Sequence, residues 1–307
     1  MVTTMRPIDM LYEKLGDKIA ENVPLAPYTS ARIGGPADIF IVADTSAELA
    51  RIVNWLWKYE IPYVILGGGS NVLISDKGVR GAVILNRAKG VKFHEGEHPS
   101  VTAESGVVFS NLANRCAAKG LAGLEWAATV PGTIGGAVVG NAGAFGGDMA
   151  GNLISAELLT EHGKVLYTVE QMGYGYRTSA LKRGEVKAVV LSVELALKNS
   201  TREEVTVKIQ QFRAHRKATQ PPGASMGSMF KNPPGDYAGR LIEAAGLKGA
   251  RIGNAEISPL HANFFINHAD TKAEDIRALI ELAQKTVKEK LGVELELEIE
   301  LIGEWNV

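Results

Sequence analysis

Hydrophobic and polar positions follow both helical and strand periods along this 307-residue chain, and together they predict an α+β fold. Thr45-Ser-Ala-Glu48 has the form of a capping box and precedes an apolar-periodic run that extends to Tyr59, which predicts a helix. Pro62 ends that helix. Short apolar runs bounded by turn residues then predict strands at residues 63–66, 72–74, 79–85 and 91–93.

The same mixture of periods continues through the rest of the chain. Residues 110–119 predict a helix that is closed by Gly120, and Thr271-Lys-Ala-Glu274 predicts a capping box for a long helix ending near Gly292. Two further helices are predicted: one follows the polar stretch at residues 198–202 and runs to about residue 219, and the other lies at residues 237–245. Strands are predicted at residues 153–159, 165–169, 186–197 and 264–266.

The two ends of the chain show contrasting patterns. Near the start, four apolar residues at helical spacing predict an amphipathic helix rather than a signal peptide: Ile8, Leu11, Leu15 and Ile19. Near the end, residues 292–302 alternate strictly, which predicts one strand. Its buried face consists of Val293, Leu295, Leu297, Ile299 and Leu301. Its other face consists of Glu294, Glu296, Glu298 and Glu300. Crowding of like charges raises carboxyl pKa values, so one glutamate could be protonated in a site, although a solvated acidic face is the alternative interpretation.

A glycine-punctuated segment without charges extends from residue 126 to residue 147. Its length is compatible with a membrane span, and Gly132, Gly136 and Gly140 have the spacing of packed membrane helices. Pro131, the density of glycine and the lack of basic flanks argue against that interpretation. Glycine at this density favours a backbone surface that lies directly against a large ligand, so we expect one wall of a cofactor pocket.

Gly67-Gly-Gly-Ser-Asn71 lies between two predicted strands, where unhindered backbone N–H groups can bind a phosphate or pyrophosphate. The spacing is neither that of a P-loop nor that of a Rossmann fingerprint, and a tight hairpin is the alternative. Together with Ile33-Gly-Gly-Pro-Ala37 and the segment 126–147, this loop favours a large nucleotide cofactor.

Composition and charge narrow the function further. The hydrophobic fraction of 46%, the charged fraction of 22% and the net charge of −1 are typical of a soluble protein without a nucleic-acid or anionic membrane partner. Arg213-Ala-His-Arg-Lys217 could bind one anionic ligand or form a solvated helix face.

Cys116 is the sole cysteine, which excludes an internal disulfide and favours a reducing compartment. The six histidines form no metal motif. We therefore expect a cytoplasmic monomer without a bound metal.

Three polar residues stand out as candidates for chemistry. Arg177, within Tyr174-Gly-Tyr-Arg-Thr-Ser179, could bind a carboxylate or phosphate through two parallel hydrogen bonds, or could form an ordinary surface ion pair. Ser228, within Gly227-Ser-Met-Phe-Lys-Asn-Pro233, lacks the context of a hydrolase nucleophile. It could donate a proton to a developing carbanion, or simply hydrogen-bond its own turn. His261 could line a polar pocket or be structural.

Taken together, these segments resemble the UDP-N-acetylenolpyruvoylglucosamine reductase family over nearly the whole chain. The motifs that carry the resemblance are 29–37, 66–71, 123–125, 131–136, 141–143, 176–177, 227–233, 261–263 and the glutamate-rich terminal segment. The resemblance implies a two-lobed FAD-binding fold of the vanillyl-alcohol-oxidase type, with lobes at 1–85 and 86–200. It also implies a C-terminal α+β substrate domain at 201–307.

The resemblance assigns specific roles as well. Ser228 becomes the proton donor, assisted by Lys231 or by backbone donors near Gly227, while Arg177 and Glu298 become the groups that stabilise negative charge. Glu296 is the alternative to Glu298, because Leu297 stands where many members have proline. The implied substrate contacts are Tyr176, Lys231, Asn232 and His261. The implied FAD contacts are Arg32, Gly67, Gly68, Gly69, Ser70, Asn71, Thr129, Pro131, Gly132, Gly135, Gly136, Asn141 and Gly143.

By this resemblance, NADPH reduces FAD, and the flavin then reduces an enolpyruvyl sugar nucleotide in peptidoglycan synthesis. The sequence leaves the preference between NADPH and NADH open. The interval from Arg177 to Ser228 is 228 − 177 = 51 residues, which indicates the shorter subtype without a tyrosine-bearing loop. Two other classes compete with this interpretation: a flavin oxidase that uses oxygen, and a nucleotide-binding module without redox chemistry.

Overall fold

The structure, a computed structural model, describes residues 7–305, and for residues 7 and 8 it describes the backbone alone. The α-helices are α1 Pro7–Leu15, α2 Ser46–Lys58, α3 Phe109–Ala118, α4 Ile134–Gly140, α5 Met149–Asn152, α6 Arg202–Thr219, α7 Ala238–Ala244 and α8 Ala273–Leu291. Short 3₁₀ helices lie at Gly16–Lys18, Ala26–Tyr28 and Glu125–Thr129. Within residues 7–305, no helix combines the length and the hydropathy needed to cross a bilayer.

Short strands make up the β structure. In the first half of the chain they are β1 Ile19–Pro24, β2 Pro36–Ala43, β3 Tyr63–Leu66, β4 Val72–Ile74, β5 Val79–Asn86, β6 Val91–His94, β7 Ser100–Glu104, β8 Leu121–Ala122, β9 Gly143–Ala144 and β10 Gly147–Asp148. In the second half they are β11 Leu153–Thr160, β12 Gly163–Thr168, β13 Val189–Ala196, β14 Lys198–Asn199, β15 Arg251–Ile252, β16 Ala255–Ile257, β17 Phe265–Asn267 and β18 Glu300–Ile302.

The strands assemble into sheets of different size. The largest has the order β12-β11-β13-β7-β6 and is antiparallel throughout. A four-stranded sheet has the order β1-β2-β5-β3, and a three-stranded antiparallel sheet has the order β15-β16-β17. Strand β18 pairs with β4 in parallel, which joins the C-terminal strand to the strand that follows the Gly67–Asn71 loop.

The chain folds into two compact units whose segments alternate along the sequence. Among the described residues, the first unit comprises 7–20, 41–67 and 84–215. The second comprises 21–40, 68–83 and 216–305. The Gly67–Asn71 loop therefore contributes one residue to the first unit and four to the second.

The core of the first unit lies against the five-stranded sheet. Helices α2 and α4 both pack on β13, and α3 packs on the 3₁₀ helix at Glu125–Thr129. The rings of Phe109 and Trp126 meet edge to face with centroids 5.2 Å apart, and both side chains are buried. Aromatic side chains of this size dominate core energetics, and full burial of Phe contributes roughly 1.5–3 kcal/mol.

The core of the second unit is built on α8 and the three-stranded sheet. One stripe of α8 is buried at helical spacing: Ile276, Leu279, Ile280, Ala283 and Val287. Phe230 and Phe265 are also buried, with ring centroids 6.1 Å apart in an edge-to-face arrangement. The segment that carries Ser228 is therefore anchored in this core by its neighbour Phe230.

Many local predictions are confirmed. Strands β3 and β4 flank the Gly67–Asn71 loop as expected. Helix α3 is followed by Gly120 at φ +70°, the left-handed conformation that the predicted C-terminal glycine requires. Thr45 caps α2, since its Oγ1 accepts a hydrogen bond from the Glu48 N–H at 3.1 Å. These elements were predictable because their signals are local in sequence.

The strand predicted at residues 292–302 is wrong over most of its length. Only β18 is a strand, and Leu301, which was predicted to be buried, is 39% exposed. The segment changes its partner along its length, because Leu297 forms an isolated bridge with Phe230 whereas β18 pairs with β4. The alternation thus reflects two short pairings with different segments, and of the predicted face only Leu295 and Ile299 are buried.

The predicted capping box at Thr271 is also wrong. The N-cap of α8 is Lys272, and the carboxylate of Asp76 accepts hydrogen bonds from the N–H groups of Ala273 at 2.9 Å and Glu274 at 3.2 Å. The Thr271 hydroxyl is buried and has no hydrogen-bond partner among the described residues. A carboxylate from the β4–β5 turn therefore supplies the capping interaction. Its negative charge also interacts favourably with the positive end of the helix dipole.

The predicted N-terminal helix is correct in kind but too long. Helix α1 ends at Leu15, and Ile19 begins β1 after a 3₁₀ turn. Leu11 and Leu15 are buried as expected, whereas the side chain of Ile8 lies outside the described residues.

Candidate active site

The Gly67–Asn71 loop has the features of an anion-binding turn. Gly69 has φ +57°, and a Cβ there would lie 2.2 Å from the carbonyl oxygen of Tyr28. Its carbonyl accepts a hydrogen bond from the Ser30 N–H at 2.9 Å. Within the described residues, no protein acceptor takes the backbone N–H groups of residues 68–70. Backbone donors left open in this way suit a phosphate or pyrophosphate.

In the first unit, Gly67 lies against the residue that precedes α4. A Cβ at Gly67 would lie 2.2 Å from Thr133 Oγ1, and Thr133 occupies the N-cap position of α4. Pro131 is exposed and Gly132 has φ +94°, so the chain turns sharply just before the helix. These contacts explain why glycine is needed at residues 67 and 132.

Helix α4 presents a face of glycine on one side. Its apolar residues are buried, namely Ile134, Ala137 and Val138. Gly136 and Gly140, four residues apart, share the other side, and a Cβ at either would meet nothing within 4 Å. Helical glycines without a packing partner leave a flat backbone surface, which a planar cofactor ring can approach closely. The loop at residues 68–71 and this helix face, each taken separately, fit the pyrophosphate and the ring of FAD.

Asn141 ends α4 and uses its side chain within the protein. It has φ +44°, its Oδ1 accepts from the Ala150 N–H and its Nδ2 donates to the Gly175 carbonyl, both at 3.0 Å. The FAD contact predicted for Asn141 stays a prediction; the two bonds show that its side chain connects the glycine segment to the turn before Arg177.

Arg177 itself is held in that turn by the glycine segment. Its backbone has φ +56°, and its Nη2 donates to the Gly143 carbonyl at 2.9 Å. The guanidinium also lies 5.4 Å from the ring of Tyr176, which is 56% exposed. The half-buried arginine is therefore positioned by a backbone carbonyl, rather than being an unconstrained surface charge.

In the second unit, the structure brings Ser228 and Glu298 onto neighbouring segments. The Met229 N–H donates to the Asn263 carbonyl at 2.8 Å, and the Glu298 N–H donates to the Met229 carbonyl at 2.9 Å. Ser228 also forms an isolated bridge with Phe264. Its half-buried hydroxyl makes no hydrogen bond within the part of the chain that the structure describes, so it does not bond its own turn. The hydroxyl is therefore available to a ligand.

Asn263 holds the segment that carries Ser228, a role that the sequence analysis did not assign to it. Its side chain is 3% exposed; Oδ1 accepts from the Phe230 N–H at 2.9 Å, and Nδ2 donates to the Phe230 carbonyl at 2.8 Å. This pair of bonds fixes the segment two residues after Ser228. An amide between the apolar residues Ala262 and Phe264 was the available signal, because buried amides are retained where they satisfy backbone groups.

The remaining predicted substrate contacts have partners inside this unit. Lys231 forms an ion pair with Glu296, and Asn232 Oδ1 accepts from the Ala238 N–H at 3.1 Å. His261 Nδ1 accepts from the Asn263 N–H at 3.2 Å, and burial lowers the pKa of this histidine, which favours the neutral ring. All three residues help to fix local structure.

The expectation that glutamate crowding raises carboxyl pKa values near the C-terminus is wrong for Glu294. The Lys288 ammonium donates to Glu294 at 2.5 Å, and this hydrogen bond lowers the pKa of that exposed carboxyl. With Lys231 paired to Glu296, lysines neutralise two members of the predicted acidic face. Among the described residues, no three His, Cys, Asp or Glu side chains are placed to hold a metal ion.

The predicted site residues are distributed over both units. In the first unit lie Gly67, Thr129, Pro131, Gly132, Gly135, Gly136, Asn141, Gly143, Tyr176 and Arg177. In the second lie Arg32, Gly68, Gly69, Ser70, Asn71, Ser228, Lys231, Asn232, His261 and Glu298. Arg32 has φ +56° in a turn where its N–H donates to the Thr29 carbonyl at 3.1 Å.

Comparison with known families gives two matches. Residues 218–302 match the family described as UDP-N-acetylenolpyruvoylglucosamine reductase, C-terminal domain, and residues 37–168 match the family described as FAD binding domain. These matches, with the mixed helix and strand content, confirm the predicted α+β fold with an FAD-binding part and a distinct C-terminal domain.

Similar proteins cover nearly the whole chain. UDP-N-acetylenolpyruvoylglucosamine reductase of Chloroflexus aggregans is 44% identical over 94% of this chain and 99% of its own length. The protein of the same name from Bacillus pumilus is 41% identical over 97% of this chain and 98% of its own. The crystal structure of that reductase from Thermus caldophilus has a TM-score of 0.79 at 36% identity, covering 92% of this chain and 99% of that one.

Proposed function

The chain belongs to the UDP-N-acetylenolpyruvoylglucosamine reductase family of FAD-dependent oxidoreductases, and from this premise we propose its reaction in detail. It reduces the enolpyruvyl group of UDP-N-acetylglucosamine enolpyruvate to give UDP-N-acetylmuramate for peptidoglycan synthesis. NADPH is the electron donor, and a single cytoplasmic chain carries out both half-reactions without a nucleic-acid or membrane partner. The net charge of −1 agrees with the absence of such polyanionic partners.

One observation carries the proposal beyond the family match. The 2.9 Å hydrogen bond from the Glu298 N–H to the Met229 carbonyl aligns the segment of Glu298 with the segment of Ser228. The Ser228 hydroxyl, which has no acceptor within the described residues, and the half-buried Glu298 are thereby held on adjacent segments. Reduction of an enol ether conjugated to a carboxylate needs both a proton donor and a group that stabilises the developing charge.

The residues that would hold FAD are those whose geometry suits its parts. The open N–H groups of residues 68–70 would bind the pyrophosphate. The face of Gly136 and Gly140 would receive the ring system. Arg32, Thr129 and Asn141 complete the cofactor contacts. When bound, FAD supplies a hydride from its N5 to the terminal vinyl carbon of the substrate.

Arg177 and Glu298 stabilise the negative charge that then spreads from the adjacent carbon onto the substrate carboxylate. The Arg177 guanidinium is already oriented by the Gly143 carbonyl at 2.9 Å, so little reorganisation is needed when the carboxylate binds. Glu298 acts as a neutral acid and donates a hydrogen bond, as a carboxyl group can in a water-poor site.

Ser228 donates the proton to the carbon that carries the charge. A serine hydroxyl is a weak acid, so the alkoxide that remains must be stabilised by neighbouring donors, among them Lys231 and the backbone near Gly227. Tyr176, Asn232 and His261 contact the sugar nucleotide. The exposed ring of Tyr176 and the neutral ring of His261 suit contacts with the uncharged parts of the substrate.

Product analysis under anaerobic conditions tests this proposal. The holoenzyme, NADPH and the enolpyruvyl nucleotide are incubated together, and the product is identified by mass spectrometry. We expect a product that has gained two hydrogen atoms, formed in equal amount to the NADP⁺ released. Oxygen-dependent turnover without this product would identify a flavin oxidase, and nucleotide binding without any turnover would identify a non-catalytic module.

A further inference from the structure

Asn71, the last residue of the Gly67–Asn71 loop, forms two hydrogen bonds with the C-terminal segment. Its side-chain Nδ2 donates to the Glu298 carbonyl at 3.0 Å, and its own carbonyl accepts from the Glu300 N–H at 2.9 Å. The two bonds lie on either side of Ile299, which is 4% exposed. Asn71 thus bonds the residues before and after Ile299, a buried residue next to Glu298.

The backbone of Glu298 is consequently fixed from both sides. Its N–H donates to the Met229 carbonyl at 2.9 Å, and its carbonyl accepts from Asn71 at 3.0 Å. The N–H bond belongs to the isolated bridge between Leu297 and Phe230. The carbonyl of Glu298 lies before β18 begins at Glu300, and it is satisfied by the Asn71 side chain rather than by a strand. The Asn71 amide therefore takes the place of a neighbouring strand: it donates the hydrogen bond that the Glu298 carbonyl needs, and it sets the direction of the chain.

We propose that Asn71 is a positioning residue for Glu298. Its amide holds the Glu298 backbone so that the carboxyl group stays aligned with the segment of Ser228. This function differs from that of a cofactor contact, because the bond runs to the protein rather than to FAD. The inference rests on the proposed role of Glu298 in the reduction of the substrate.

Measuring the two half-reactions separately distinguishes the positioning of Glu298 from a contact with FAD. We expect Asn71→Ala to slow flavin reoxidation by the enolpyruvyl nucleotide by about 10-fold to 100-fold, because small misalignments of a catalytic group have effects of this order. Reduction by NADPH should change by less than about two-fold. Rates are followed by anaerobic stopped-flow absorbance, and FAD affinity is measured separately by fluorescence quenching on the apoprotein.

A double-mutant cycle tests whether Asn71 acts through Glu298. In a Glu298→Gln background, Asn71→Ala should lower the rate of flavin reoxidation by less than about three-fold, because the carboxyl group that Asn71 positions is already absent. Asn267→Ala is the matched control: its Nδ2 donates to the Ala31 carbonyl at 2.8 Å in the same unit, far from Glu298 in sequence. It should lower stability and leave both half-reactions unchanged.

Several outcomes would overturn the inference, and they differ from failure of the proposed function. If Glu298→Gln slows reoxidation but Asn71→Ala does not, or if the two effects are additive, Asn71 does not position Glu298. An equal loss in both half-reactions with weaker FAD binding would make Asn71 a cofactor contact alone. If Glu298→Gln itself leaves reoxidation intact, the proposed role of Glu298 fails, and the inference with it. Should Asn71→Ala fail to fold, Asn71→Asp preserves the shape, removes the donor and must show the same loss.

Discussion

At the scale of single residues, three predicted site positions have an unusual backbone conformation. Among the described residues outside glycine, positive φ angles include those of Arg32, Asn141 and Arg177. Such conformations cost about 1–3 kcal/mol each for ordinary residues, and they persist where the surroundings fix them. Arg177 and Asn141 are fixed through the Gly143 and Gly175 carbonyls. Strained backbone is not confined to the predicted site, because positive φ also occurs at Asn22, Glu60, Phe145 and Asp270.

Ser228 gives the sharpest prediction at this scale. Ser228→Ala should leave reduction by NADPH nearly intact and slow reoxidation by the enolpyruvyl nucleotide by about 100-fold or more, because the proton donor is lost. The measurement is single-turnover absorbance of the flavin in each half-reaction. Ser225→Ala, in the same turn-rich segment, is the control and should behave as the wild type. Equal damage to both half-reactions would exclude Ser228 as the proton donor.

At the scale of elements, α4 illustrates how a helix can give up stability for a binding surface. Glycine inside a helix costs roughly 0.5–1 kcal/mol relative to alanine, yet Gly136 and Gly140 meet no packing atom that would require it. If the flavin lies on this face, the two glycines are explained by the ligand.

Gly136→Ala should therefore have effects of opposite sign on folding and on cofactor binding. We expect the free energy of unfolding of the apoprotein to rise by roughly 0.5–1 kcal/mol and the affinity for FAD to fall. Urea unfolding of the apoprotein and fluorescence titration with FAD measure the two quantities. An unchanged or stronger affinity for FAD would show that this face is not the cofactor wall.

The start of α8 offers a test of the capping contacts. Asp76→Ala should lower the free energy of unfolding by about 1–2 kcal/mol, because two helix N–H groups lose their acceptor. Thr271→Val removes a buried hydroxyl without a described partner, so it should be neutral or slightly stabilising. Chemical denaturation measures the free energy of unfolding of both variants. A larger decrease for Thr271→Val than for Asp76→Ala would show that Thr271 is the cap.

At the scale of the whole molecule, sequence reasoning succeeded where the signal was local. The strands around the Gly67–Asn71 loop, the helix closed by Gly120 and the end of α8 next to Gly292 follow from short-range patterns. The cap from Asp76, the bond from Asn71 to Glu298 and the clamp of Asn263 on Phe230 could not be predicted. Each joins residues that are distant in sequence, and periodicity contains no information about such partners.

The same limit explains the errors near the C-terminus. Residues 292–302 have the alternation of a strand, but the segment pairs first with the region of Phe230 and then with β4. The prediction that Glu298 shares a crowded acidic face depended on that single strand. The assignment of individual cofactor and substrate contacts, like the domain boundaries at residues 85 and 200, stays a prediction that rests on family resemblance.

An anaerobic visible spectrum of the holoenzyme, recorded through successive additions of NADPH and the enolpyruvyl nucleotide, tests the central claim most directly. The account predicts a flavin spectrum that NADPH bleaches and that the nucleotide restores in a one-to-one titration without oxygen. A bleached flavin that only oxygen can restore, or a protein that holds no flavin after reconstitution with FAD, would contradict it.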